Sequence, residues 1–294
     1  MRLRPVIEIG GTHATAALVD TSAWTVEWTE RRGIDAAAGA EDLLDAIAAP
    51  ALKMPSPHEA CWGVAIPGPF DYENGIGDFT GIGKFWSLHK ADVGAALARR
   101  LPSPADRLVF LNDAEAFALG EWALARPGPA RAVYLTLGTG IGSCFLADGR
   151  PAADHFGLPP SGHVHLLDWR GKPLEDWVSR RAILRDYKEA SGRDADVREI
   201  ADLARGGDEA ASRVLEHSFT TLGLILAPCI GAFKAECVVV GGSIARSWDL
   251  ARGPLEAGLA SAFPAGVALP ELRRASGLDS APILGAALAA TRVS

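Results

Sequence analysis

Short apolar runs that end in glycine recur along this chain, and their spacing sets its plan. Residues 5–9 and 15–19 read as strands on either side of Gly10-Gly11-Thr12, and residues 24–29 alternate large and polar side chains like a third strand. The pattern predicts an antiparallel meander. Helical spacing follows over residues 41–52, a buried strand over 60–66, a further helix near 91–101 and a strand over 108–111. Three strands, then helix, strand, helix and strand, predict a small α/β lobe covering residues 1–112.

The second lobe is expected to repeat this plan over residues 113–281, with the C-terminal helix 282–294 returning to the first. A helix at 114–126 leads to a strand at 132–137, and the turn Gly-Thr-Gly-Ile-Gly-Ser is followed by Cys-Phe-Leu-Ala, which reads as another strand. That order matters, because a dinucleotide-binding fingerprint needs a helix directly after its glycines. A hairpin is predicted instead. Residues 175–190 are amphipathic, 208–235 form a long helical stretch, 238–240 a buried strand and a helix begins near 245, while Pro282 opens the last helix.

Composition narrows the function. With 294 residues the chain exceeds the roughly 250 residues that one core usually serves, and 48% hydrophobic residues can fill two. The net charge of −7 and the low isoelectric point argue against a nucleic-acid surface and favour a small organic or nucleotide ligand. Cys61, Cys144, Cys229 and Cys237 are scattered without a paired spacing, which predicts buried free thiols. The first strand starts almost at the N-terminus and the apolar runs look too short to span a membrane, so a cytoplasmic protein with no membrane partner is expected.

Four glycine-rich turns carry the candidate chemistry: Glu8 to Thr15, Ala65 to Asp71, Leu137 to Ser143 and Val238 to Ser247. Glycine lets backbone N–H groups approach an anion with no Cβ in the way, so several such turns suggest a clamp around a polyphosphate. Asn112-Asp113, at the end of a predicted buried strand, adds a candidate base. Asp113 is also a good N-cap for a helix starting at Ala114, and one side chain can do both. Taken singly, each turn could equally be an ordinary tight connection.

Together, in this order and over nearly the whole chain, these motifs resemble the ROK family of sugar kinases and sugar-responsive repressors. The resemblance implies a two-lobed α/β, actin-like ATPase (ribonuclease H-like) fold with a central ligand cleft. It also implies ATP-dependent phosphorylation of a hexose or amino-hexose at the 6-hydroxyl, with Mg²⁺ between the phosphates. By the same resemblance Asp113 is the catalytic base, and Asn112, His163, Glu175 and Gly68 face the sugar. Glu8, Gly10, Gly11, Thr12, Gly138, Thr139, Gly140, Gly142, Gly241 and Gly242 face the nucleotide and its metal. Oligomeric state stays open, with a homodimer among the readings. Phosphoryl transfer needs positioning and charge neutralisation more than covalent help, which suits such a frame.

The sequence departs from the family's pattern at several points. Glu8 stands where the family has Asp, adding a methylene of reach toward Mg²⁺. Pro160 stands where a sugar-binding Glu is usual, and the zinc cysteines after Gly162-His163 are absent, so no protein-held zinc is expected. His163, His165 and Asp168 do not supply the four ligands of a structural site. In the segment 78–89 Phe85 and Trp86 can stack on the sugar or simply staple the loop, and Lys84 reads as a solvated charge. Three other readings stay open: a polyphosphate-using kinase, a non-catalytic sugar-binding protein, and a regulator, which needs a DNA-binding segment ahead of the first strand.

Overall fold

The computed structural model describes residues 2–81, 83–126, 128–152, 155 and 157–293. In chain order these form β1 (Leu3–Ile9), β2 (His13–Asp20), β3 (Thr25–Gly33), α1 (Ala40–Ala48), β4 (Cys61–Ile66), β5 (Phe70–Asp71), β6 (Ile76–Gly77), α2 (Val93–Ala98), β7 (Arg107–Asn112) and α3 (Asp113–Leu124). Next come β8 (Arg131–Leu137), β9 (Ile141–Ala147), β10 (Arg150–Pro151), β11 (Asp168–Trp169), β12 (Lys172–Pro173), α4 (Glu175–Val178), α5 (Arg180–Ser191), α6 (Val197–Arg205) and α7 (Glu209–Phe233). The chain finishes with β13 (Cys237–Gly241), α8 (Trp248–Ala262), β14 (Glu271–Arg274) and α9 (Ala281–Arg292).

Two compact units result, Met1–Pro127 with Asp279–Ser294, and Gly128–Leu278. Each is built on a five-stranded sheet, ordered β3-β2-β1-β4-β7 in the first and β10-β9-β8-β13-β14 in the second. In both, an antiparallel hairpin (β1–β2, β8–β9) is extended by parallel strands, which is the predicted repeat of plan. The turns that follow parallel strands emerge at one edge of the sheet, where α/β folds bind ligands. Register Glu8–Ala65 and Ile66–Asn112 brings the turns after β1, β4 and β7 to a common edge. Register Gly241–Thr136 does the same for β8 and β13.

Each unit has its own apolar core, the first around Ile7, Trp62, Val64 and Phe79, the second around Val133, Leu135, Phe219 and Val240. Burying these side chains is the main force holding each sheet to its helices. The helix pairs cross through glycine. A Cβ on Gly285 of α9 would strike the backbone of Ala116 and Gly120 in α3, and one on Gly258 of α8 would strike that of Thr220 in α7.

Four expectations need correction. The boundary falls after residue 127 rather than 112, because α3 is apolar around almost its whole circumference and packs on α9 in the first unit. The amphipathic run from Glu175 is two helices, broken where the Ser179 side chain accepts the Ala182 N–H and starts α5. Helix α1 stops at Ala48, ahead of Pro50. Finally, α7, with 25 residues, is long and apolar enough by length and composition to cross a membrane, yet 72% of its apolar window is buried inside the protein, as in a core helix.

Candidate active site

In the first unit the chain turns from β1 to β2 through Gly10, Gly11 and Thr12, closed by a 2.8 Å hydrogen bond from the Gly10 N–H to the His13 carbonyl. The His13 ring lies against Gly10, 3.0 Å from where a Cβ would stand, and desolvation with the nearby Arg31 charge lowers its pKa. His13 is therefore neutral at physiological pH. Sequence reasoning passed over it, although its place directly after the Gly-Gly-Thr turn was a signal.

Asn112 and Asp113 occupy the junction of β7 and α3. Here the structure revises the capping assignment: Asn112 is the N-cap, its Oδ1 accepting the Ala114 N–H at 2.9 Å, and Asp113 is the first helical residue. Asp113 Oδ1 accepts the same N–H at 2.8 Å. The Asn112 amide donates to Tyr72 Oη at 3.0 Å, and the phenol donates to the Ile66 carbonyl at 3.3 Å. Desolvation holds the Tyr72 phenol above its ordinary pKa, so it stays protonated. A Cβ on Gly68 would stand 3.0 Å from that Oη, which places the Gly68 loop beside Asn112. Tyr72, five residues after Pro67, thus fixes the Asn112 amide, and no local pattern in the sequence singles it out.

The two carboxylates here are perturbed. Desolvation raises the Asp113 pKa against the lowering effect of the helix N-terminal N–H groups, while the side chain keeps an exposed face. Glu8 is raised first by desolvation, opposed by Arg31, and raised again by the charges of Asp113 and Asp279. A carboxylate under the charge of a second one suits a hydrated divalent cation, since Mg²⁺ is usually held by one or two carboxylates plus substrate phosphates.

In the second unit the β8–β9 turn is tied by the Gly138 N–H to the Gly140 carbonyl at 3.0 Å. Thr139 is exposed at its tip, and Gly142 sits in β9 opposite Thr136. Glu175 lies on this turn: its Oε1 accepts the Ile141 N–H at 2.9 Å. The Arg180 N–H donates to the Gly138 carbonyl at 3.0 Å. Gly242 has φ +84 and packs so closely on Leu137 that no side chain fits, while Gly241 ends β13. Gly138, Gly140, Glu175 and Gly242 thus form one cluster. Beside it a cavity of about 640 Å³ is lined by Arg180, Val197, Ser243, Ile244, Arg246 and Ser247, among others, within the range of small-ligand sites.

His163 is held by Ser143, a buried hydroxyl that donates to the Gly162 carbonyl at 2.7 Å and accepts the Val164 N–H at 2.9 Å. Its ring stacks on His165, centroids 5.4 Å apart, and desolvation with the His165 charge lowers its pKa. Pro160 opens the short turn before it and accepts the His163 N–H at 3.0 Å. Among the described residues no three His, Cys, Asp or Glu side chains gather as metal ligands.

These features agree with what the chain resembles across its length. The ROK family pattern matches residues 5–293. The glucokinase of Thermotoga maritima is 32% identical over 308 residues, covering 96% of this chain and 95% of that one. An N-acetylmannosamine kinase of Escherichia coli is 30% identical over 260 residues, covering 81% and 82%. The crystal structure of a ROK hexokinase from Thermus thermophilus superposes with a TM-score of 0.79 at 27% identity, covering 99% and 98%. With its two-unit α/β architecture of the actin-like ATPase type, and glycine turns ending parallel strands in both units, this chain belongs to the ROK family.

Proposed function

We propose that this carbohydrate kinase transfers the γ-phosphoryl group of ATP to the 6-hydroxyl of a hexose or amino-hexose, with Asp113 as the general base. The observation that carries the reading is Asp113 itself, a carboxylate with an exposed face and a pKa raised by desolvation, beside the Gly68 loop and Asn112. A raised pKa makes a carboxylate a better proton acceptor near neutral pH. The sugar hydroxyl gives its proton to Asp113 as its oxygen bonds to phosphorus, and the bond to the bridging oxygen breaks to leave ADP.

Asn112 orients the sugar beside the base, fixed by Tyr72. His163, neutral and held by Ser143, reads ring hydroxyls, and Glu175, whose Oε1 already accepts the Ile141 N–H, accepts from them through Oε2. The backbone N–H groups of Gly11 and Thr12 in one turn and of Thr139 and Gly140 in the other face the phosphates, and Gly241 and Gly242 lie beneath the adenosine. Mg²⁺, when bound with the donor, supplies charge neutralisation, and Glu8 with Asp113 would hold it through water.

A coupled assay over hexoses and amino-hexoses with ATP and Mg²⁺ tests the reading. Asp113→Asn should lose about 10²- to 10⁴-fold in kcat while binding sugar normally. A variant with near wild-type kcat would remove Asp113 from the role. Inorganic polyphosphate is a second donor reading, supported by Arg180, Arg198 and Arg246 around the cavity beside Gly242, which Asp196 and Asp202 also line. Running the same assay with polyphosphate in place of ATP separates the two.

A further inference from the structure

Lys84 reads as an ordinary solvated charge in the sequence, yet it lies on the first glycine turn. Its Nζ stands 2.6 Å, and its Cδ 3.2 Å, from where a Cβ on Gly11 would be, so the lysine occupies the space this glycine leaves open. The segment that carries it is anchored. Phe85, the next residue, is 1% exposed, packs on Phe79 with centroids 5.3 Å apart and donates its N–H to the Ala36 carbonyl at 2.8 Å. The backbone is thus fixed one residue from Lys84, while the four-carbon stem lets the ammonium adjust.

Carboxylates outnumber cations around Glu8. Glu8 lies at the end of the strand leading into it, and Asp113 and Asp279 act on Glu8 with the same sign, opposed there by Arg31. A polyphosphate arriving at Gly10–Thr12 adds several more negative charges. Backbone N–H groups offer partial charges only, whereas an ammonium within hydrogen-bond reach makes a charge-assisted contact about twice as strong as a neutral one. We propose that Lys84 is a phosphate ligand of the donor, placing its ammonium on the terminal phosphate at the Gly10–Thr12 turn and neutralising charge as that group is transferred. This rests on the kinase reading above and adds a residue to it.

The experiment compares wild type, Lys84→Met and Lys84→Arg as full chains. Calorimetric titration with AMP, ADP and a non-hydrolysable ATP analogue, all with Mg²⁺, is run beside sugar binding and steady-state kinetics. Lys84→Met should weaken the ATP analogue about tenfold, leave AMP and sugar affinity unchanged and lower kcat; Lys84→Arg should recover part of both losses. Equal weakening of AMP and analogue, loss of sugar affinity alone, or unchanged analogue binding would each overturn the proposal, because a lysine that only staples its loop does not count phosphates. Wild type that binds the analogue but phosphorylates no sugar would instead sink the kinase reading, and wild type that binds neither the analogue nor polyphosphate would sink both.

Discussion

Asp113 sits where two local effects oppose each other. The N-terminus of α3 favours its charge, desolvation disfavours it, and desolvation prevails. The folded carboxyl therefore keeps its proton to a higher pH than the unfolded one. Its contribution to stability is fully present below the unfolded pKa and is lost as pH rises through the folded pKa. Asp113→Asn should consequently melt above wild type near neutral pH, with the gap closing as pH falls toward about 4. Melting temperatures across that range check this, and a gap independent of pH would show that the carboxyl's charge is not its source. Pro160 poses the other residue-scale question, since it is exposed and its carbonyl shapes the turn that presents His163. Pro160→Glu should shift relative kcat/KM among glucose, mannose and amino-hexoses, on the order of tenfold. An unchanged ranking in a folded variant would reduce Pro160 to a shaping role.

At the scale of elements, the hairpins were legible because glycine turns between alternating apolar strands have few other solutions. The helix crossings were not. Nothing in the sequence around Gly285 says that the backbone of α3 will pass where its Cβ would be, whereas Gly253 of α8 faces open space and is exposed. Gly285→Ala should therefore destabilise the protein by about 1–3 kcal/mol, while Gly253→Ala should change it by less than about 0.5 kcal/mol, because the usual gain over glycine is offset by Pro254, which disfavours helical backbone at a residue with a Cβ before it. Urea denaturation of the two variants beside wild type decides it, and losses of equal size would contradict the packing. Helix α6 could have been found from its capping box, Asp196 with Glu199, both halves of which form. Strand β14 could not, because Glu-Leu-Arg-Arg is a polar edge sequence whose partner, β13, decides its conformation.

Over the whole molecule, all four cysteines are free and buried. Burial raises the Cys61 and Cys237 thiols and pushes Cys229 up to about 12, so little reactive thiolate is present. A thiol reagent at mildly alkaline pH should find none reactive in the native protein and all four after unfolding. Prompt reaction of even one would place it at the surface. The sequence alone determined the repeated strand order, the glycine turns and the Asn112-Asp113 pair, because those depend on local periodicity and on backbone freedom that only glycine supplies. Tertiary structure decided the rest: that α3 joins the first unit, that Asn112 rather than Asp113 caps it, and that Glu175 and Lys84 lie on glycine turns in different units. Each depends on which distant segment fills the space beside a residue, and that is settled by packing between parts of the chain that no local pattern connects.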